Sequence, residues 1–290
     1  MSGPSDIFNN EKKYKIFEDV PYGDHELQKI DIVIPRKAQK QADLYVRIHG
    51  GAWIGGDKSD VTESLEPFVK KRNMIGANFN YRLLKDGNYD VDCSCIMDDI
   101  HAAMKKTVEI CKKEGYELKK AVLEGESAGA HVALMYAYKF KDESPVDIVL
   151  VYSDCGPTDM NDDAYFNPPI EISRKDMLML KSLLIGKELT YESMKEPENV
   201  DMLKTVSPVT YVTKDVPPTI LNSCGKDVLV PVSNAVTLEK ALEENGVDHY
   251  YDCFDNSKHC RRDKADRKKV KVFEKKFKQM TDKYVCGKDR

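Results

Sequence analysis

The chain has 290 residues, 32% of them charged and 41% from the hydrophobic set, with a formal net charge of −4. That is the composition of an ordinary soluble domain long enough to bury a sizeable core, and single α/β domains of this length are common. The small net charge, with Lys and Arg spread along the chain, argues against a nucleic-acid surface. No apolar run approaches the roughly 20 residues that span a bilayer. The opening MSGPSDIFNN has neither the basic start nor the apolar core of a secretory signal. A cytoplasmic location with its eight cysteines as reduced thiols is therefore expected. Cys93 and Cys95 form C-x-C, but no second Cys/His pair follows at zinc-site spacing, so no metal is expected.

In chain order, short apolar runs alternate with longer amphipathic ones, as βαβ units require. QKIDIVIP (28–35) turns Ile30, Ile32 and Ile34 inward and ends at a proline, which suits an antiparallel strand near an edge. Such an edge, or apolar residues further on, could pack against a second subunit or only within the chain, leaving a homodimer open. Strands are predicted over ADLYVRIHG (42–50) and MIGANFNY (74–81). A helix over 92–114 follows, with Ile96, Ile100, Ala103, Thr107 and Cys111 on one face. KKAVLEG (119–125) and VDIVLVY (146–152) bracket a helix from about 128 to 140. Residues 157–208 are too long for a plain connection and read as an inserted helical cap. Next come a strand at 217–225, a helix at 231–246 opened by proline and closed by glycine, and a last strand at 247–254. The basic run 261–278 carries apolar residues at helical spacing. Phe273, Phe277, Met280 and Tyr284 line one face of a solvated amphipathic helix.

The turn between strand 119–125 and the next helix reads Gly125-Glu126-Ser127-Ala128-Gly129, a G-x-S-x-G in the strand–turn–helix setting that the motif demands. Glycines two residues either side of Ser127 let strand and helix approach closely while the serine takes an unfavourable backbone conformation. Its hydroxyl then stands at a helix N-terminus, where it can act as a nucleophile if a base is at hand. Of the six histidines, His25 lies in an early polar turn, His49 opens a glycine loop, and His101 and His131 sit in helices. His249 lies inside the last strand, near in sequence but poorly placed. His259, in DNSKHC (255–260), is at the carboxyl end of the sheet, where open α/β sheets gather their ligands. Asp227, just past strand 217–225, is the candidate acid that would orient His259. Asp154 and Asp159 are alternatives, though loop capping accounts for either. His49-Gly50-Gly51-Ala52-Trp53 supplies a bend whose Gly50 and Gly51 amides, with that of Ala128, could form an oxyanion hole. Trp53, with Tyr165 and Phe166, could offer substrate a stacking surface, although ordinary packing explains such aromatics first.

Taken together, HGGAWIGGDKSD (49–60), NFNYRL (78–83), GESAGAHVAL (125–134), SPVTYV (207–212) and VPPTILNSCGKDVLVPVSNAVTLEKALEENGVDH (216–249) resemble one family. They are similar to the α/β-hydrolase serine esterases of the hormone-sensitive-lipase and feruloyl-esterase-like kind, those with an HGGxW motif. The resemblance, which leaves the first ~20 residues and the cap outside, implies an α/β-hydrolase fold with a mostly parallel eight-stranded sheet and helices on both faces. The chain is then expected to be one domain over 1–290 with 157–208 as its inserted cap. It implies Ser127 as nucleophile, His259 as base and Asp227 as its partner, with Gly50, Gly51 and Ala128 as oxyanion donors and Ala52 a further candidate. It implies no cofactor, and a small-molecule ester as substrate, such as an acetyl or feruloyl ester of a plant-derived saccharide. Amide hydrolysis, as in an arylformamidase or peptidase, is an alternative on the same residues. A non-catalytic binding module would be signalled by loss of the serine, the histidine or the glycine loop, and all are present.

Overall fold

A computed structural model of the chain describes Asn10 and residues 12–287, so most of MSGPSDIFNN lies outside the described residues. Eight strands form one sheet: β1 (Tyr14–Pro21), β2 (Lys29–Pro35), β3 (Gln41–Ile48), β4 (Ile75–Phe79), β5 (Glu117–Glu126), β6 (Asp147–Asp154), β7 (Thr219–Cys224) and β8 (His249–Phe254). Their order across the sheet is β1-β2-β4-β3-β5-β6-β7-β8. The β1/β2 and β2/β4 pairs are antiparallel and every other pair is parallel. Among the described residues there are seven helices: α1 (Thr62–Arg72), α2 (Cys93–Lys113), α3 (Ala128–Lys139), α4 (Arg174–Ile185), α5 (Pro197–Thr205), α6 (Val232–Glu244) and α7 (Arg267–Tyr284). None of the helices described is long and apolar enough to cross a membrane.

Side-chain alternation along the strands builds two cores. Leu44, Val46, Ile48, Ala121 and Leu123 face α2, α3 and α6, while Tyr45 and Val122 face α1 and α7. The stripe predicted on α2 is buried, with Thr107 returning its hydroxyl to the Ala103 carbonyl at 2.8 Å. On α7, Phe273 and Met280 are buried, with Phe277 and Tyr284 packed beside them.

Two expectations need correction. β2 is antiparallel but not an edge, because β1, unread in the sequence, covers its outer side. Val33 and Asp31 are therefore buried along with Ile30, Ile32 and Ile34. Helix α1, with Pro67 inside it, is an element that the apolar spacing does not announce. The last helix starts at Arg267 rather than near 261, because Asp263 caps a short 3-10 turn at Lys264–Asp266 by accepting from the Ala265 amide.

Between β6 and β7 no strand forms. That segment holds α4, α5 and short 3-10 turns at Asp163–Phe166, Ser193–Lys195 and Pro208–Tyr211. The strand registers set what meets at the sheet's carboxyl edge. Ile48 lies opposite Gly125, Glu126 opposite Asp154, and Cys224 opposite Phe254. The loops after β3, β5, β6, β7 and β8 therefore leave the sheet side by side.

Phe273 is 3% exposed and packs its ring against Tyr152, Tyr250 and Phe254. Phe273→Ala is expected to cost about 3–5 kcal/mol through lost contact and the cavity left behind. Thermal denaturation should show a fall in Tm on the order of 10 °C; an unchanged Tm would mean that α7 contributes little to the fold.

Candidate active site

Ser127 sits between β5 and α3 with φ 52 and ψ −122, a left-handed backbone that a residue with a side chain rarely adopts. The flanking glycines make this turn feasible. A Cβ on Gly125 would lie 2.2 Å from the Gly129 carbonyl, and one on Gly129 would lie 2.2 Å from the Ile48 carbonyl oxygen. Either side chain would push α3 off the sheet. The Ser127 amide donates to the Asp154 carbonyl at 2.8 Å, and the Ser127 carbonyl accepts from the Ala130 and His131 amides.

The serine hydroxyl stands 2.8 Å from His259 Nε2, and His259 Nδ1 donates to Asp227 Oδ2 at 2.6 Å. Asp227 is buried, and its other carboxylate oxygen accepts from the Leu229 and Val230 amides at 2.8 and 3.0 Å. Burial disfavours charge on His259, but the hydrogen bond and charge of Asp227 outweigh it, helped by Cys155 and Asp154. The imidazole is left with a pKa above its ordinary value.

The other acids and histidines are placed elsewhere. Asp154 binds Arg262 at 2.6 Å, and burial pushes its pKa up to about 6. The Asp159 carboxylate accepts from the Asn161 amide. His249 Nδ1 donates to the Val247 carbonyl, away from the serine.

The glycine loop packs against the Ser127 turn: a Cβ on Gly50 would lie 3.4 Å from Ser127 Cβ and 3.0 Å from the Glu126 carbonyl oxygen. His49 braces the loop. It stacks on Tyr81 at 4.4 Å, donates to the Gly50 carbonyl at 2.8 Å, and its own carbonyl accepts from the Tyr81 hydroxyl. The amides of Gly50, Gly51 and Ala128 have no acceptor among the described residues, which leaves them available to a ligand oxygen. Ala52 and Trp53 both take positive φ, 51 and 61.

Several supporting residues gave no signal in the sequence. Asp266 holds the His259 loop by accepting from the Asn256 amide and side chain and from the Ser257 hydroxyl, at 2.7–3.0 Å. His131, read only as a helix residue, accepts from Trp53 Nε1 at 3.1 Å and donates Nε2–H to the Val206 carbonyl at 2.8 Å. It thereby ties the glycine loop, α3 and the β6–β7 segment together. Beneath the turn Arg47 pairs with Glu124, which also accepts from the Tyr45 hydroxyl. Cys155, Cys260 and His259 bring donor atoms within 4.8 Å of one another. Both ring nitrogens of His259 are already engaged by Ser127 and Asp227, so the cluster does not fit a metal ion. Cys93 and Cys95 open α2, where the Asp92 carboxylate accepts from the Ser94 and Cys95 amides.

A pocket of about 130 Å³ opens beside the serine, lined by Ala52, Trp53, Ala128, Met160 and Tyr165 with the α4 side chains Met177, Leu180, Lys181 and Leu184. Trp53 and Tyr165 thus reach the pocket while remaining almost fully buried.

The sheet order and the serine on its strand–helix elbow define an α/β-hydrolase. A family model, BD-FAE, matches residues 30–242, and the chain belongs to that family. A truncated carbohydrate esterase from gut microbiota superposes with a TM-score of 0.72 at 18% identity, over 94% of this chain and 99% of that one. Esterase B from Lactobacillus rhamnosis gives 0.67 at 18% identity, over 93% and 89%. These two likenesses concern the fold. Among curated proteins, kynurenine formamidase from Danio rerio is 28% identical over 117 residues, 40% of this chain and 37% of that protein. A probable isoprenylcysteine alpha-carbonyl methylesterase ICME from Oryza sativa subsp. japonica is 29% identical over 119 residues, 41% of this chain and 28% of that protein. The matches thus span little more than a third of these relatives' length at most.

Burial holds His131 neutral, with its pKa pushed down to about 4. An unfolded chain takes up that proton near pH 6.5. The unfolded state therefore gains protons as pH falls between these values. The stability from this group is intact above about pH 6.5 and declines by up to about 3 kcal/mol as pH approaches 4. Denaturant midpoints measured from pH 7 to 4 should fall less steeply for His131→Gln than for the wild type; parallel curves would contradict a buried neutral His131.

Proposed function

We propose that the protein is a serine carboxylic-ester hydrolase, with Ser127 as nucleophile, His259 as base and then acid, and Asp227 orienting the imidazole. The observation that carries this reading is the unbroken hydrogen-bond chain from Ser127 Oγ through the His259 ring to Asp227, at 2.8 and 2.6 Å. His259 Nε2 accepts the hydroxyl proton as Oγ attacks the ester carbonyl. The Ala128 amide and those of Gly50 and Gly51 receive the oxyanion, and each such donor contributes about 3–4 kcal/mol of transition-state stabilisation. The proton then passes from Nε2 to the leaving alcohol as the C–O bond breaks. Water, deprotonated by the same nitrogen, frees the acyl group as a carboxylic acid and restores the Ser127 hydroxyl. Asp227 holds Nδ1–H, so that Nε2 carries the lone pair.

The segment 157–208 acts in this reading as a cap, because Met160, Tyr165 and α4 close one side of the pocket beside Ser127. The apolar lining suits a short or aromatic acyl group, and a carbohydrate ester is the substrate class suggested by the gut-microbiota carbohydrate esterase. A second reading, hydrolysis of an N-formyl aryl amide, is favoured by the kynurenine formamidase match and uses the same groups. Turnover compared across acetylated and feruloylated sugars, aryl esters and N-formyl amides decides between them.

Ser127→Ala should lower hydrolysis of p-nitrophenyl acetate by more than about 10⁴-fold with the melting curve retained. Asp227→Asn should lower kcat by about 10³–10⁴-fold, and Asp154→Asn by far less. The reverse ranking of the two acids would reassign the partner of His259.

The reaction needs His259 neutral, so in the wild type kcat/KM should fall as pH drops through a pKa above the ordinary histidine value of about 6.5. A pH–rate profile with its acid limb well below that value would remove His259 as the base.

A further inference from the structure

Lys181, on α4, is 1% exposed, yet it forms part of the wall of the pocket that contains Ser127. Its ammonium has no carboxylate in hydrogen-bond or ion-pair range among the described residues. Its one hydrogen-bond partner there is the Met194 thioether at 3.9 Å. The rings of Phe166 and Tyr165 lie 4.7 and 5.2 Å from Nζ and offset part of the desolvation. Asp159, Asp162 and Asp163 act on it only through space. Two of these carboxylates are occupied elsewhere, Asp159 by the Asn161 amide and Asp162 by Ser233 and Asn234. Burial pushes the lysine pKa down to about 8, so it remains largely charged at neutral pH.

A buried ammonium with no anion is costly, and such groups are normally paired. Its neighbours on the pocket side of α4, Met177, Leu180 and Leu184, show that an apolar residue would pack there. A cation at 181 is therefore a liability for folding and an asset for a ligand that brings the missing anion.

The position of His259 says which end of the substrate enters. The leaving alcohol must receive its proton from His259, so it lies on that side of Ser127. The pocket wall includes Ser127, Ala128 and Ala52 but not His259, which assigns the enclosed space to the acyl chain. Its volume of about 130 Å³ limits that chain to a short one.

We propose that the acyl pocket selects esters whose short acyl chain ends in a carboxylate, half-esters of aliphatic dicarboxylic acids, with that carboxylate paired to Lys181 Nζ. This rests on the serine-esterase reading above and names its substrate class. Carboxylate and ammonium neutralise one another inside the low-dielectric pocket, and the apolar wall accepts the methylenes between them.

The probe pair is mono-p-nitrophenyl glutarate and p-nitrophenyl valerate, which share a five-carbon acyl chain and differ in the terminal carboxylate. The wild type should favour the glutarate half-ester in kcat/KM by about 10-fold or more, the expected size of a buried charged hydrogen bond. Lys181→Met should lower the glutarate-to-valerate ratio by about 10- to 100-fold, and Lys181→Gln, which keeps a donor without the charge, by less. A wild type that prefers valerate overturns the proposal, as does a ratio that neither substitution changes. Failure of the wild type to hydrolyse either ester would instead remove the esterase reading, and this proposal with it.

Discussion

The site depends on how closely the first turn of α3 approaches the ends of β3 and β5. With no side chain at Gly125 or Gly129, the helix start lies against the Ile48 carbonyl, and the chain must reverse within Ser127. A left-handed serine costs on the order of 1–3 kcal/mol, and it persists because the surrounding hydrogen bonds leave no alternative. The same device recurs in the neighbouring loops. Ala52, Trp53, Ser127, Cys155 and Cys260 all take positive φ, whereas among the described non-glycine residues only Asp19 and Asn73 do so elsewhere. Strain is thus concentrated at the loops leaving the carboxyl edge of the sheet, where it aims side chains and frees amides.

The end of β6 links the Ser127 turn to the His259 loop. The Asp154 carbonyl receives the Ser127 amide, while its carboxylate grips Arg262, three residues beyond His259. Displacement of that loop would break an ion pair at 2.6 Å as well as the bonds to Asp266. The chain of charges continues inward through Arg47 and Glu124. Buried ion pairs add little net stability, but removing one partner leaves a charge stranded, which makes the arrangement hard to deform. Asp227, Cys155 and Asp154 add local negative charge that favours a protonated His259.

The serine was legible because its requirement is local: glycine at two residues on either side, a strand before and small residues after. Asp227 and His259 were legible because parallel strands deliver their following loops to one edge, so position in the chain predicts position in space. The misreadings have a common cause. Strand β2 shows alternating isoleucines, but whether it is an edge depends on β1, whose YKIFEDVP carries too many charges to announce a strand. The basic run from 261 looked helical from its start, yet Asp263 diverts the chain into a cap first. Trp53 and His131 lie 78 residues apart, and His131 and Val206 75 apart. Nothing in the local spacing of either pair shows that they meet. Lys181 was hidden inside an apolar helical run, where a single lysine reads as the solvent-facing position.

The segment between β6 and β7 is fastened to the body before any substrate arrives. The Asn234 side chain on α6 accepts from the Thr158 and Asp159 amides and the Tyr165 hydroxyl, at 2.8–3.1 Å, and donates to Asp162. Ser207 takes the Met160 amide at 2.8 Å, and His131 takes hold of the Val206 carbonyl. A wall held by this many bonds from α3 and α6 does not need to order itself around a ligand, so binding loses little conformational entropy. Selectivity must then come from what the fixed wall presents, its shape and its polar atoms, rather than from closure. The side chains that this segment turns toward Ser127 are then what a ligand in the pocket meets. Ser127, His259 and Asp227 belong instead to the loops at the sheet's carboxyl edge.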